Sequence, residues 1–334
     1  MHIFTLEFTV PDNLDGGTVE HILRSHLKMS QRMIRTLKQT DGVLRNAVPV
    51  DRLYRRVTHG DVLTVLLPEE TSDIAPESMN LEVCYEDSGV VMVNKPPGVL
   101  THPTARERRG SLLAGVRAYL EPDGLVPHCI HRLDRDTSGL LLFAKHAYVH
   151  HLYDRLVRRH ALHREYLALC YAPDTRGTDG TWQTIQSSIA GDESKPSRRV
   201  LVETGGQTAV THYRVLARTA RAAVVQLSLE TGRTHQIRIH LASVGLPLIG
   251  DTDYTYQLYG NAPRDAATYA HMANGQQLHA FRLSFSTPIE QHPVCVESPL
   301  RPEMLELWEM LGGHQTDCNL VNCEFFCGNA TVEE

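Results

Sequence analysis

The sequence predicts a mixed α+β protein: a large body built on a largely antiparallel sheet with flanking helices, preceded by a small α/β module. Strand-like alternation recurs in LEVCYED, GVVMVNKP, REYLALCYA, TAVTHYRVLA, AVVQLSLE and QQLHAFRLSFS. Helical stretches fall between these runs irregularly, not one after each strand, which favours antiparallel pairing over a doubly wound parallel sheet. The length of 334 residues leaves room for about two domains.

The module occupies residues 1–67. In GTVEHILRSHL, Val19, Ile22, Leu23 and Leu27 fall at helical spacing. Ser30 then caps QRMIRTLKQ, with Ile34 and Leu37 on an inner face and Arg32, Arg35 and Lys38 on an outer one. GVLRNAVPV reads as two short extended runs about a turn at Arg45-Asn46-Ala47, and RRVTHGDVLTVLLP as a turn at His59-Gly60-Asp61 followed by a strand. Residues 68–80, PEETSDIAPESMN, are acidic, contain two prolines and lack periodicity, so they read as a linker. The body spans 81–312. Within it SLLAGVRAYL, HAYVHHLYDRLVRR, RTHQIRIHLASVG and EMLELWEML read as helices, and LLLFA as an apolar strand. A tail, 313–334, is expected to be partly disordered.

The chain carries a formal net charge of −6, which excludes a nonspecific polycation. Residues 21–59 nonetheless hold nine Lys and Arg against Asp41 and Asp51 alone, so a basic module is joined to a more acidic body. The start, MHIFTLEFTVPDNLD, lacks a basic segment followed by an apolar block, and runs such as LLLFA are far too short to span a bilayer. The expectation is a cytoplasmic protein with no membrane association, acting as a monomer. Its scattered cysteines, at 84, 129, 170, 295, 318, 323 and 327, should then be mostly reduced and buried.

The stretch HRLDRDTSG (131–139) sets Asp134 and Asp136 among His131, Arg132 and Arg135, just before the apolar strand. Nearby arginines favour an ionised carboxylate, which in a pocket acts as a nucleophile or electrostatic stabiliser. In an extended segment two acids two residues apart point to opposite faces, which argues against an acid–base pair. Asp136 suits the Asp-Thr-Ser-Gly turn, where its side chain can bond the backbone two residues on. That leaves Asp134 as the candidate reactive group. From this stretch alone, a salt-bridged turn explains the residues equally well.

Other blocks follow in order: NKPPGVLTHP (94–103) before it, then REYLAL (164–169), TGRTHQIRIHL (231–241), GLPLIGD (245–251) and LHAFRLSF (278–285). Together with HRLDRDTSG they resemble the RluA-type pseudouridine synthases over about residues 81–290. In the module, MSQRMIRTLKQTDGVLRNAVPV and HGDVLTV resemble the S-four-type RNA-binding domain, and the whole then resembles the large-subunit ribosomal RNA branch of the family.

The resemblance implies isomerisation of uridine within structured RNA, large-subunit ribosomal RNA first and transfer RNA as a second possibility, with no cofactor and no metal. It makes Asp134 the catalytic aspartate and sets Tyr166 against the uracil ring, where it would help remove the C5 proton. It pairs Arg233 with Asp134 and has Arg132 support the flipped-out nucleotide. Arg32, Arg35, Lys38 and Arg45 would contact RNA phosphates. Extruding a stacked base costs about a few kcal/mol, and an aromatic face offsets roughly 1–3 kcal/mol of it. One departure stands out: the family often has Lys-x-Tyr where this chain has Arg164-Glu165-Tyr166.

His150, His151, His160 and His163 are expected as solvated or RNA-facing positions, and His131, His235 and His240 as hydrogen-bonding groups of the site or core. THPTARERRGS (101–111) is expected to touch RNA, whereas SKPSRR (194–199) fits either contact or a solvated loop. Cys318, Cys323 and Cys327 fit no familiar zinc spacing. Two rival functions stay open at this level. A glycosidase or nucleosidase would need a second carboxylate roughly 5–10 Å from Asp134. A noncatalytic RNA-binding or assembly factor would have no use for Asp134, Tyr166 and Arg233.

Overall fold

The structure, a computed structural model, describes residues 4–172, 180–255 and 273–318. The module is a four-stranded antiparallel sheet in the order β1 (Thr5–Thr9), β4 (Val62–Leu66), β2 (Val43–Arg45), β3 (Val48–Pro49). The edge strand β1 was not among the expected elements. Its inward residues, Leu6 and Phe8, are only partly buried, so its apolar alternation is shallow.

The first helix starts as α1 (Val19–His21), capped by the Thr18 hydroxyl, and continues as a π-helical turn over Ile22–His26. Val19, Ile22, Leu23 and Leu27 are all fully buried, as their spacing predicts. Helix α2 (Gln31–Gln39) begins at Ser30, whose hydroxyl accepts from the Met33 N–H at 3.2 Å. The hairpin between β2 and β3 turns through Asn46 and Ala47 alone, both at positive φ (50° and 65°), the two-residue geometry that matches strand twist.

The body is a single large sheet with the path β11 (Arg199–Val202), β10 (Gln183–Gly191), β12 (Gln207–Arg218), β13 (Ala222–Leu229), β9 (Leu162–Tyr171), β14 (Leu278–Ser286), β8 (Ser138–Ala144), β6 (Val90–Lys95), β5 (Glu82–Glu86). Two short strands, β7 (His128–Cys129) and β15 (Pro293–Glu297), pair with β8 and β14. Among the described residues every strand pairing of this sheet is antiparallel except β14 with β8.

At that parallel junction Gly139, at φ 107°, lies so close to Ala280 that a Cβ would sit 2.2 Å from its carbonyl oxygen. The glycine of Asp-Thr-Ser-Gly, five residues after Asp134, is therefore required for the two halves of the sheet to meet.

Period-two alternation divides the core. Tyr166, Ala168 and Cys170 of β9 join one cluster with α3 (Leu112–Leu120) and α5 (Gln236–Ser243). Leu167, Leu169 and Tyr171 face the other way, onto Trp308 of α6 (Pro302–Met310). The Trp308 indole N–H donates to the His314 carbonyl and the Asp317 carboxylate, at 3.0 and 3.1 Å, and Cys318 is buried in the same cluster. Residues 313–318 thus belong to the packed body, which corrects the expected start of the tail. Cys323 and Cys327 lie outside the described residues.

Helix α4 (Ala147–Arg158) joins module and body. One apolar cluster contains the module's Leu23, Leu27 and Leu67 together with Tyr148, Val149 and Leu152 of α4. The Tyr148 hydroxyl donates to the Leu27 carbonyl. The segment 68–80 forms no helix or strand, yet it is not a loose tether. Glu70 accepts from the Ala147 N–H at 3.0 Å, capping α4, and meets His128 Nε2 at 3.0 Å. Burial works against the charge on Glu70, but His128 and the Ala147 N–H outweigh it and hold the carboxyl below its ordinary range.

Candidate active site

Asp134 sits on a short connection whose backbone is held from both sides. The Thr101 hydroxyl donates to the Leu133 carbonyl at 2.8 Å and accepts from the Leu133 N–H at 3.2 Å. Lys95, fully buried at the end of β6, donates from Nζ to the carbonyls of Pro96, Val99 and Arg135 at 2.9, 2.8 and 2.7 Å. Burial lowers the Lys95 ammonium to about 7, against the pull of Asp136 and Asp134. At the sequence level Lys95 appears only within the NKPPGVLTHP block, because its role depends on the distant Arg135 carbonyl.

The turn closes with Thr137 N–H donating to the Asp134 carbonyl at 3.2 Å. No hydrogen bond from the backbone N–H two residues on to the Asp136 carboxylate is found among the described residues, so backbone pairing closes the turn instead. The salt-bridged reading also falls: Arg135 turns away and pairs with Glu107, Nη1 to Oε1 at 3.2 Å. The Asp134 side chain stays free of both neighbouring arginines and is 20% exposed.

Its cationic partner comes from α5. Arg238 lies in the first turn of that helix, with Nη1 at 3.7 Å from Asp134 Oδ2. The expected partner, Arg233, is instead exposed and donates from Nε to the Thr208 carbonyl at 3.2 Å. The physical reason is where the helix starts. Arg233 precedes it, in a turn where its own N–H donates to Gln236 Oε1 at 2.9 Å; Arg238 is inside the helix and buried against the site.

A cation in the first turn opposes the helix dipole, and acids compensate it. Arg238 donates Nε and Nη2 to the two oxygens of buried Asp251, at 2.7 and 2.8 Å, and Nη2 also reaches Asp253 at 3.1 Å. Burial works against the Arg238 charge, but Asp251 and Asp134 raise its proton affinity above the usual arginine range. Asp251 was within the GLPLIGD block without a role; its pairing across a reverse turn leaves no local signature.

His235 precedes α5 at φ 58°, a left-handed conformation uncommon for histidine, with Nε2 4.0 Å from Asp134 and Nδ1 bonded to the Tyr254 hydroxyl at 2.9 Å. Burial lowers its proton affinity. His131 Nε2 accepts from the Leu142 N–H at 3.3 Å, and burial pushes its pKa down to about 3. His240 is bonded to Thr211 and Ser187 at 2.9 and 2.8 Å. All three histidines hydrogen-bond within site or core, as expected.

Asp134, Tyr166, Arg233 and Arg132 line one cavity of about 360 Å³, together with Arg164, His131 and Arg238. Tyr166, on β9, is buried. Burial pushes its phenol pKa up, Arg164 opposing and Asp134 adding to the effect. Asp134 is the only carboxylate among the lining residues, against four arginines. A paired-carboxylate hydrolase therefore lacks its second acid in this wall. No cluster of three or more His, Cys, Asp and Glu suited to a metal ion is present among the described residues.

Residues 89–243 match the RNA pseudouridylate synthase family profile. The chain is 36% identical over 315 residues to the RNA pseudouridine synthase YhcT of Bacillus subtilis (strain 168), covering 90% of this chain and 96% of that one. It is 34% identical to ribosomal large subunit pseudouridine synthase D of Neisseria meningitidis serogroup A, over 91% of this chain and 81% of the relative. The chain belongs to the RNA pseudouridine synthase family. The synthase shares its fold with human RNA pseudouridylate synthase domain containing 4, at a TM-score of 0.53 and 21% identity, over 69% of this chain and 93% of that one.

On the module of the synthase, Arg32, Arg35 and Lys38 are exposed along α2. Arg45 is turned inward: it pairs with Asp61 at 2.6 Å and donates to the Arg56 carbonyl at 2.9 Å. Its guanidinium thus holds the β2–β3 hairpin to the 58–61 turn. In the body, Arg106, Arg108 and Arg109 are exposed on the loop after Thr101. The SKPSRR segment is largely exposed but tethered to the body: Lys195 pairs with Asp253 at 2.7 Å and the Arg199 N–H donates to the Tyr254 hydroxyl at 2.9 Å. No helix among the described residues is long and apolar enough to cross a membrane.

Proposed function

We propose that this synthase isomerises specific uridines of large-subunit ribosomal RNA, with Asp134 as its catalytic carboxylate. The observation that carries the reading is the meeting of Asp134, Arg238 and Tyr166 at one cavity, with Arg238 3.7 Å from the aspartate. The relatives named as ribosomal large subunit synthases favour that RNA class.

In the reaction the bond from ribose C1′ to N1 breaks and a bond from C1′ to C5 forms. C5 loses a proton and N1 gains one. Asp134 supplies the negative charge that meets the ribose as the first bond breaks, as nucleophile or stabiliser. Arg238 fixes that carboxylate's place. Tyr166 lies against the extruded uracil, and its aromatic face replaces part of the lost stacking. Its raised phenol pKa keeps the hydroxyl protonated at neutral pH, so it contributes a donor more readily than a base. No group is lost and no electron is transferred, so the chemistry calls for no cofactor.

The module acts as an S-four-like RNA-binding domain in which the exposed Arg32, Arg35 and Lys38 meet phosphates and Arg45 keeps the fold. Arg132 and Arg233, at the cavity rim, face the incoming strand. One chain supplies every group of this site, which supports action as a monomer, and ribosomal RNA as substrate supports a cytoplasmic location.

The test is conversion of uridine to pseudouridine in unmodified large-subunit ribosomal RNA by purified protein, with Asp134→Asn and Asp134→Ala beside it. The wild type should convert and both variants should not. Retained activity in either variant would remove Asp134 from the chemistry.

A further inference from the structure

On β9 Arg164, Glu165 and Tyr166 alternate, so Arg164 and Tyr166 share the cavity face and Glu165 the opposite one. All three are buried, but their polar atoms are treated differently. Glu165 meets the Arg282 guanidinium at 3.2 Å and the Gln226 amide at 2.7 Å. Arg164 is only 6% exposed, yet among the described residues its guanidinium meets no acid within 4.0 Å and no hydrogen-bond acceptor; its Nε is buried and unsatisfied.

A buried cation without a partner is among the costliest groups a protein interior can hold. Here the fold makes room for it. A Cβ on Gly232 would lie 2.7 Å from Arg164 Nη1, so the guanidinium rests on bare backbone at the cavity wall. A second unanswered donor, distant in sequence, lines the same cavity. His131 Nε2 accepts from Leu142, which leaves the ring proton on Nδ1, and Nδ1 is buried without a partner.

Resting on the proposed RNA substrate, we infer that Arg164 is an anion subsite that binds a phosphate of the reacting nucleotide, and that its missing partner arrives with the RNA. The nearest candidate acid in the wall, Asp134, is already engaged by Arg238. Neighbouring same-face positions on a strand are about 6.6 Å apart, comparable to the reach from a pyrimidine ring across its ribose to the phosphate. With the base on Tyr166, the phosphate falls at Arg164. A planar fork of donors suits phosphate oxygens. On this assignment the site is built for a nucleotide within a strand, not for a free nucleoside.

The experiment pairs Arg164→Met with an RNA oligonucleotide carrying one neutral methylphosphonate at each phosphate flanking a converted uridine. In the wild type, one of these should weaken binding about tenfold or more, the size expected of a charged hydrogen bond. Arg164→Met should bind the unmodified RNA more weakly by a similar factor and show no further loss with that methylphosphonate. Relieved of an unpaired buried charge, the variant should also melt at or above the wild-type temperature.

Additive losses in the double combination overturn the assignment. So does a wild type indifferent to both methylphosphonates, or a variant that melts well below it or does not fold. A wild type that leaves uridine unconverted while this coupling holds removes the proposed reaction but not the phosphate site; conversion without the coupling removes the phosphate site alone.

Discussion

Arg238 spends two of its three nitrogens on Asp251 and offers the remaining one, Nη1, to Asp134. The 3.7 Å contact is longer than a hydrogen bond, so the position of Asp134's countercharge is set by Asp251 and not by Asp134 itself. Asp251→Asn should leave RNA binding nearly unchanged and lower the single-turnover rate on the order of tenfold to a hundredfold, the penalty of misplacing a reacting group by about an ångström. An unchanged rate, measured beside an intact affinity, would mean that Arg238 finds its place without Asp251.

Gly139 permits the one parallel contact of the main sheet described here, between β8 and β14. Gly139→Ala combines a positive φ with a backbone collision, and should destabilise the protein by about 3 kcal/mol or more. Denaturant midpoints would register the loss. Because Asp134 lies five residues before this junction, activity should fall even in the fraction that stays folded.

The outer face of α2 should contribute affinity without sequence choice. Replacing Arg32, Arg35 and Lys38 by alanine should weaken RNA binding and reduce the slope of log affinity against log salt by about two to three. Fluorescence anisotropy across a salt series measures both, and an unaltered slope would take these residues off the RNA. Arg45→Ala should act differently, through stability, because its partners are internal.

Asp61 gives the module a defined response to acid. Burial works against its charge, but the Thr58 N–H, Arg45, Asn46 and the Thr58 hydroxyl prevail and hold the carboxyl at about 2. In the unfolded chain it titrates near its ordinary value of about 3.9. The folded value is the lower one, so this contribution is fully present above the unfolded value and is lost as pH falls through the folded one. The gap in urea midpoint between wild type and Asp61→Asn should therefore narrow from about pH 6 to about pH 3. A constant gap would assign the effect to shape and not charge.

Much of this arrangement is written in local patterns. The period-two run LHAFRLSF becomes β14, Ser30 caps α2, and the turn expected at Arg45-Asn46-Ala47 forms, with Arg45 itself still in β2. HRLDRDTSG and REYLAL bring Asp134 and Tyr166 to one cavity. What escaped depends on chain segments far apart in sequence. The choice of Arg238 over Arg233 hinges on a helix start fixed by Gln236, whose amide donates to the Val210 carbonyl at 3.0 Å. Glu70's grip on α4 and Lys95's hold on the Arg135 carbonyl likewise join residues 77 and 40 positions apart. A linker composition and a turn motif carry no trace of such partners.

The shared helix has a consequence for target choice. At about 1.5 Å per residue, the twelve residues of α4 set a strut about 18 Å long. Tyr148 fastens one end to the module, and Val157 forms part of the cavity wall at the other. An RNA gripped by the front module would then meet a fixed caliper. On the RNA-gripping role proposed for the module, the altered uridine would be chosen by its distance from the grip, and two RNAs of unlike sequence but equal span would present themselves alike.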